Sequence, residues 1–252
     1  MNSTSRGADA DGTEGVSAES VRAAIERIAD PDRAESAARY FQAGPGGYGG
    51  DDRFLGVRVP QLRAIARTAR GLDRTQVAEL VDSAAHEVRL AGLFCLRDGF
   101  ERAAPDDVDA WVEVYLAAVA AGRVNNWDLV DSSADPVLGE WSWQRADPGV
   151  LTDFARRDDL WERRIGIIGT FAWLKHGDAQ ALQLVAPLAV DDRRPLIQKA
   201  FGWMLREMGK RVDGSLLLSY LDAHAAQMGR TALGYAVEHL EPDTRAHYRS
   251  LR

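Results

Sequence analysis

One segment, VNNWDLVDSSADPVLGEWSW, places an indole and a carboxylate at a spacing that could do chemistry. Trp127 and Asp131 are four residues apart and Asp128 and Asp131 are three apart, so on a helix they share one face. A carboxylate beside an aromatic face can stabilise a developing cation. Alternatively, Trp127 is a core residue and the two acids stabilise the first helical turn after a cap at Asn125 or Asn126. Spacing alone leaves both interpretations open.

A second pattern lies in residues 195–211, where Lys199, Trp203, Arg206 and Lys210 step by four, three and four. On a helix these residues form one stripe. Burying three charges together would be very costly, so this face is either solvated or meets an anion. An indole at its centre does not suit a plain solvated face. The leading candidate for the anion is a nucleic-acid backbone.

Other kinds of site lack their sequence signatures. The five histidines stand in no metal-binding spacing, and the single cysteine, Cys95, cannot build a thiolate site or an intramolecular disulfide. The sequence contains no nucleophile elbow, Walker loop or dinucleotide fingerprint. The glycine-rich AGPGGYGGDD ends in acids that would repel a phosphate, so we interpret it as a connecting loop.

Composition is that of a globular protein, with 46% hydrophobic and 27% charged residues. The formal net charge of −7 argues against a general polyanion binder, so binding would depend on local cationic clusters. Residues 1–16 form an acidic, Gly/Ser/Ala-rich tail that we predict to be disordered. The chain shows no signal peptide or membrane span, and a lone cysteine fits the cytoplasm.

Apolar residues recur at steps of three and four beyond residue 17, which predicts an all-α protein without a β-sheet. Proline stands at the start of several predicted helices, and glycine stands at the end of some of them. PDDVDAWVEVYLAAVAAG has both, and RPLIQKAFGWMLREMGK has Pro195 at its start.

A faint internal repeat accompanies these helices. LWERRIGIIGTFAWLKHGD aligns with LIQKAFGWMLREMGKRVD, and Arg164 then matches Lys199 at a distance of 35 residues. HEVRLAGLFCLRDGFER places Arg89 in the same role further upstream. This period favours an α-solenoid of HEAT-like helical repeats over an irregular helical bundle. We expect one such domain over residues 17–252.

With these residues in view, the chain resembles the DNA alkylation repair family of HEAT-like, AlkD-like DNA glycosylases. The resemblance covers most of residues 20–252 in the family's order. It rests on the segments DRFLGVRVPQLRAIAR, NNWDLVDSSA, LWERRIGIIGTF, IQKAFGWMLRE and MGRTALGYAVEHL. In two places the chain departs from the pattern: Asn126 stands where many relatives have a second tryptophan, and Gly234 stands where a basic residue is common.

The resemblance implies a curved solenoid whose concave face binds duplex DNA and excises cationic N3- or N7-alkylated purines without a metal or cofactor. It implies Asp131 as the catalytic carboxylate, with Trp127 and Trp203 flanking the damaged nucleotide. We expect the DNA-binding residues to be Tyr40, Arg58, Arg164, Lys199, Arg206, Lys210 and Arg230.

The resemblance also implies that the base stays near the duplex instead of entering a pocket, so bulky adducts would be tolerated. We expect a cytoplasmic monomer that joins the nucleoid when it binds DNA. The alternative is a HEAT-like module that binds damaged DNA or proteins without catalysis. An enzyme requires Asp131, Trp127 and Trp203 to converge on the concave face, whereas a scaffold would bury both indoles and leave Asp131 capping a helix.

Overall fold

The computed structural model describes residues 16–251, and these residues form helices without a β-sheet, as predicted; two isolated β-bridges are the exception. The predicted tail lies outside the described residues, Val16 apart. The helices are α1 (Ala18–Arg27), α2 (Pro31–Tyr40), α3 (Val59–Thr68), α4 (Arg74–Val81), α5 (His86–Arg102), α6 (Val108–Ala120), α7 (Trp127–Ser133), α8 (Glu140–Gln144), α9 (Gly149–Arg156), α10 (Leu160–Lys175), α11 (Gln180–Ala189), α12 (Pro195–Arg211), α13 (Gly214–His224), α14 (Arg230–Ala236) and α15 (Pro242–Ser250).

Local sequence sets where many of these helices begin. The Asp30 side chain accepts a hydrogen bond from the first turn of α2, and Asp73, Asp159 and Asp213 do the same for α4, α10 and α13. Each cap satisfies a backbone N–H that has no partner inside its helix. Pro195 stands at the start of α12, where a missing N–H costs nothing.

The helices stack as an all-α solenoid. An inner series runs through α3, α5, α7, α10, α12 and α14, and each member packs against the next. Outer helices pair beside it, α4 with α6 and α9 with α11. Helices α10 and α12 begin 35 residues apart, at Leu160 and Pro195, which is the predicted repeat distance. The repeat therefore positions residues of successive units side by side on the inner face.

A wide turn joins α7 to α8. Residues 134–139 form a π-helical turn, in which the N–H of Glu140 donates to the carbonyl of Asp135 five residues back. Pro136 lies inside this turn. Proline has no N–H and would clash with the carbonyl four residues earlier in an α-helix, so the wider turn relieves the conflict. No pattern in the sequence had predicted this turn.

Glycines let the inner helices approach closely. A Cβ on Gly139 would lie 2.2 Å from the carbonyl oxygen of Gly169 in α10. A Cβ on Gly202 would lie 2.3 Å from the carbonyl oxygen of Ala232 in α14. A side chain at Gly139 would push the π-helical turn away from α10, and a side chain at Gly202 would push α12 away from α14. None of the described helices is long and apolar enough to cross a membrane.

We predict opposite effects for two glycine substitutions. Gly139→Ala should lower the free energy of unfolding by about 1–3 kcal/mol, because the new methyl group meets backbone that must shift. Gly234→Ala should raise it by up to about 1 kcal/mol, because a Cβ added to that helical glycine would meet nothing within 4 Å. Urea titrations of both variants measure the difference. Equal stabilities would contradict this account of the close helix contact.

Candidate functional site

The inner face holds a cleft of about 400 Å³ in which the three predicted catalytic side chains meet. Trp127 and Asp131 come from α7, and Trp203 comes from α12. Both tryptophans are half-buried. The full lining consists of Tyr40, Gln42, Tyr48, Trp127, Asp131, Arg164, Leu196, Lys199, Trp203 and Tyr235.

A carboxylate held by a buried arginine forms the floor of the cleft. Arg164 Nε and Nη2 donate to Asp131 Oδ1 and Oδ2 at 2.9 and 2.8 Å. Arg164 Nη1 donates to the carbonyl of Leu196 at the start of α12. The arginine is 4% exposed, whereas the Asp131 side chain keeps 20% of its surface exposed. The ion pair joins α10 to α7, and the bond to Leu196 joins α10 to α12. Together these contacts hold the Asp131 carboxylate at the cleft.

Two opposing effects act on the ionisation of Asp131. Burial raises the pKa of its carboxyl above the ordinary value, and repulsion from Asp128 adds to that rise. The charge and hydrogen bonds of Arg164 act in the other direction. The net pKa is raised, so Asp131 is a stronger base than an exposed aspartate. Raised carboxyl pKa values inside clefts are typical of functional groups.

Aromatic side chains surround Trp127. Phe41 stacks on its indole with ring centroids 5.2 Å apart, and Tyr40 meets it edge-on at 6.0 Å. Tyr40 is 67% exposed, so a ligand can reach its ring, and its contact with DNA stays a prediction. Phe41 was not predicted. Its signal was weak, because a phenylalanine beside a helix end is ordinary core composition.

The structural alternative predicted an asparagine cap at Asn125 or Asn126, and Asn126 is the cap. Asn126 is fully buried, and its side chain accepts a hydrogen bond from the N–H of Trp127 as the N-cap of α7. The position that holds a second tryptophan in many relatives is therefore a buried cap here. Asp131 caps no helix, and Trp127 is incompletely buried. The cap at Asn126 and the position of Asp128 in the first turn fit the structural interpretation, whereas the exposure of Trp127 and Asp131 to the cleft does not.

Trp203 contacts both the hydrophobic core and the cleft. It packs against the core and against Phe171, with ring centroids 5.7 Å apart, while its remaining surface lines the cleft. Lys199, one turn earlier in α12, is exposed at the same cleft. The stripe is thus a wet face whose indole bridges the core and the cleft.

The far end of the stripe is paired within the protein. Arg206 bonds to Glu238 of the segment after α14, and its Nη2 lies 3.3 Å from Glu207 Oε1. Lys210 Nζ lies 3.8 Å from the same Glu207 oxygen. Glu207 is 4% exposed, and burial raises its pKa, but the hydrogen bond from Arg211 and the charges of Lys210 and Arg211 outweigh burial and lower the pKa below the ordinary value. Arg206, paired with two glutamates and 18% exposed, therefore has less charge available to a ligand than Lys199, whereas Lys210 keeps 47% of its side chain exposed.

The remaining predicted DNA contacts lie on the surface. Arg58 precedes α3 as its N-cap residue, and Arg230 is the first residue of α14. Both are exposed, and neither makes an ion pair with another described residue. They are separate from the cleft lining, at the two ends of the inner series.

A buried network of charged side chains contacts the first turn of α7, the helix that carries Trp127 and Asp131. His86, which is 2% exposed, bonds through Nδ1 to Asp52 at 2.7 Å and through Nε2 to Asp128 at 2.8 Å. Burial would lower the pKa of His86, but the two carboxylates outweigh it and raise the pKa to about 9. Arg89 also bonds to Asp52. No sequence motif indicated a role for His86, because its partners are 34 and 42 residues away.

A second cavity lies beyond Asp131. Asp131 and Ser132 border this space of about 500 Å³, which Arg63 and Arg67 of α3 line from the other side. The Asp131 side chain therefore borders both the cleft and this second cavity. Among the described residues, no group of three or more His, Cys, Asp or Glu side chains is arranged to hold a metal ion.

Comparisons with known proteins bear on the family and the fold of the chain. Residues 21–240 match the family described as DNA alkylation repair enzyme. Among solved structures, the chain is similar to the "Predicted DNA alkylation repair enzyme from Enterococcus faecalis", with 16% sequence identity and a TM-score of 0.66. The similarity covers 85% of this chain and 97% of that one, and at this identity it shows the fold. No curated protein matches the chain.

The His86 network predicts a pH-dependent stability. Because the pKa of His86 is about 9 in the folded protein and 6.5 ordinarily, its stabilisation is complete below about pH 6.5 and is lost as the pH rises through 9. The loss should amount to about 3 kcal/mol. Urea titrations between pH 6 and pH 10 measure it, and His86→Gln should flatten the profile. An unchanged profile in that variant would contradict the assignment.

Proposed function

This chain belongs to the DNA alkylation repair enzyme family, and we propose that it is a DNA glycosylase that excises cationic N3- and N7-alkylated purines from duplex DNA. The observation that carries the proposal is the convergence of Asp131, Trp127 and Trp203 in one cleft of the inner face. Neither a metal nor an organic cofactor is needed for the reaction. We further propose that the described helices act as one domain in a cytoplasmic monomer.

The substrate supplies part of the driving force. A purine alkylated at N3 or N7 carries a positive charge, so the bond between its N9 and the sugar C1′ breaks with the electron pair leaving on the base. The base becomes neutral and the sugar becomes an oxocarbenium-like cation. A water molecule then adds to C1′ and loses a proton. The enzyme must stabilise the sugar cation and position this water.

Asp131 is suited to both tasks. A carboxylate has about four lone-pair sites, and Arg164 occupies two of them. The others remain for the sugar cation or for the attacking water, which the second cavity could admit. Arg164 keeps the carboxylate in one orientation and favours its ionised form. We therefore assign Arg164 to positioning Asp131, whereas the family resemblance implies a contact to DNA.

The two indoles act on the cation as well. A π-face attracts a cation by about 0.5–2 kcal/mol. Trp127 and Trp203 lie on different helices that line one cleft, so the damaged nucleotide could enter between them. The cleft is open to the inner face, which suits a nucleotide engaged through its backbone while the base stays near the duplex.

Duplex DNA would be held by the cations that the protein leaves available. Lys199 lies at the cleft, with Arg58 and Arg230 on either side along the inner series. Tyr40 adds an exposed ring at the cleft. Arg206 would contribute less, because Glu238 and Glu207 already pair with it. Lys210, which is 47% exposed, adds a cation further along α12. A few local contacts of this kind are compatible with a net charge of −7.

Single-turnover excision of N7-methylguanine and N3-methyladenine from duplex DNA tests the proposal. Asp131→Asn should lower the rate by about 10²–10³, the usual cost of removing a group that stabilises transition-state charge. Binding to undamaged duplex should stay within about threefold. Rates are taken per folded molecule, because the substitution leaves the buried Arg164 with a neutral partner.

Asp192→Asn is the matched control. The Asp192 side chain is 5% exposed and also pairs with a cation, Arg163, at 3.0 Å. It lines neither the cleft nor the second cavity, so its variant should keep the wild-type rate within about threefold. A wild-type protein that binds alkylated duplex without releasing base would instead be a binding module. Wild-type rates in Asp131→Asn would remove this residue from the mechanism.

The ion pairs of α12 predict unequal contributions to DNA binding. Lys199→Ala should reduce the slope of log affinity against log salt by about 0.9, the value of one phosphate contact. Arg206→Ala should change it by less than half as much, because a phosphate would have to displace Glu238 and Glu207. Equal changes in slope would show that the intramolecular pairs do not limit Arg206.

A further inference from the structure

We propose that Tyr48, on the glycine-rich loop between α2 and α3, is a further substrate-binding residue whose hydroxyl donates a hydrogen bond to a backbone phosphate next to the damaged nucleotide. This inference rests on the proposed function and adds a contact to it. Tyr48 lines the same cleft as Trp127, Asp131 and Arg164. From the sequence alone, the loop was interpreted only as a connector.

Backbone hydrogen bonds make the loop compact. The N–H of Gly44 donates to the carbonyl of Gly50 at 2.7 Å, and the N–H of Gly49 donates to the carbonyl of Gln42 at 3.2 Å. These bonds fix the part of the loop that carries Tyr48. A hydrogen-bonded loop holds a side chain in place better than a flexible linker does.

The residues on both sides of Tyr48 must be glycine. A Cβ on Gly47 would lie 1.9 Å from the carbonyl oxygen of Gln42, and a Cβ on Gly49 would lie 2.4 Å from that of Phe41. Any side chain there would collide with backbone. The glycines thus allow the tight path that carries Tyr48 over the cleft.

The end of the loop is fixed to the charge network behind the cleft. Asp52 is bonded to His86 and Arg89, and His86 is bonded in turn to Asp128, which follows Trp127. The loop and the start of α7 therefore share buried ionic partners. This connection sets the position of Tyr48 relative to Trp127.

The Tyr48 hydroxyl has donor capacity to spare. Its closest acceptor is the carbonyl of Tyr40 at 3.5 Å, which is long for an O–H donor. Burial raises the pKa of Tyr48 above its ordinary value. The hydroxyl is therefore protonated at neutral pH, and its proton remains available to a stronger acceptor.

The surroundings favour an anionic acceptor. Lys199 lines the same cleft, is exposed and makes no ion pair with another described residue, so its charge is available to an anion there. With Trp127 and Asp131 facing the sugar, the adjacent group of a nucleotide is its phosphate. Hydrogen bonds to charged acceptors are stronger than neutral ones, so this contact should be measurable.

A double-mutant cycle tests the contact on duplexes that carry a tetrahydrofuran abasic analogue. Tyr48→Phe should weaken binding about tenfold, the lower end of the effect of one charge-assisted hydrogen bond. A neutral methylphosphonate is then placed at the phosphate on each side of the analogue in turn. At one of these positions wild type should lose about tenfold and Tyr48→Phe should lose nothing further. Independent losses at both positions would overturn the phosphate contact.

Two further variants complete the design. Gly49→Ala keeps the hydroxyl but displaces the loop, so it should also weaken binding about tenfold. Tyr220→Phe, on α13 and away from the cleft, should leave binding unchanged. If Tyr48→Phe binds as tightly as wild type, the inference is wrong. If the wild-type protein binds the duplex but releases no alkylpurine, the proposed function is wrong, and the double-mutant cycle still tests the phosphate contact. If the wild-type protein does not bind the duplex, both proposals are wrong.

Discussion

The buried ion pair between Asp131 and Arg164 is the interaction on which the site depends. A carboxylate in this position is costly without a partner, and a guanidinium with 4% exposure would be equally costly alone. The pair resolves both problems and uses its remaining donor to bond the first turn of α12. Consequently the alignment of three inner helices and the orientation of the carboxylate are set by the same contacts.

The opposite side of the cleft is organised by the same means. His86 and Arg89 hold Asp52 and Asp128, so the loop that carries Tyr48 is joined to the helix that carries Trp127 and Asp131. Buried charges thus connect each wall of the cleft to its floor. Such networks restrict motion, which suits the proposed role of presenting fixed charge to a short-lived sugar cation.

Sequence reasoning reached most of the fold because the helices follow local rules. The three- and four-residue periodicity, the caps and the 35-residue offset between α10 and α12 all act within or between neighbouring segments. The grouping of Trp127 with Asp131 followed from a spacing of four on one helix. The presence of Trp203 in the same cleft required the family resemblance, because it depends on how α7 and α12 stack.

Features that depend on distant partners were out of reach. Nothing in the spacing of α12 shows that Arg206 pairs with Glu238, 32 residues away. The π-helical turn at residues 134–139 reflects Pro136 inside a helix whose neighbours keep it intact. Tyr48 was overlooked because a glycine-rich segment looks like a connector until its hydrogen bonds and its position over the cleft are known.

The central claim is that the Asp131 carboxylate stabilises positive charge on the sugar, and affinity for two abasic analogues tests it directly. One duplex carries a neutral tetrahydrofuran and the other a pyrrolidine, whose protonated nitrogen mimics the sugar cation. Wild type should bind the pyrrolidine duplex at least about tenfold more tightly, since complementarity to transition-state charge is what catalysis requires. Asp131→Asn should lose that preference. An equal preference in both proteins would contradict the claim.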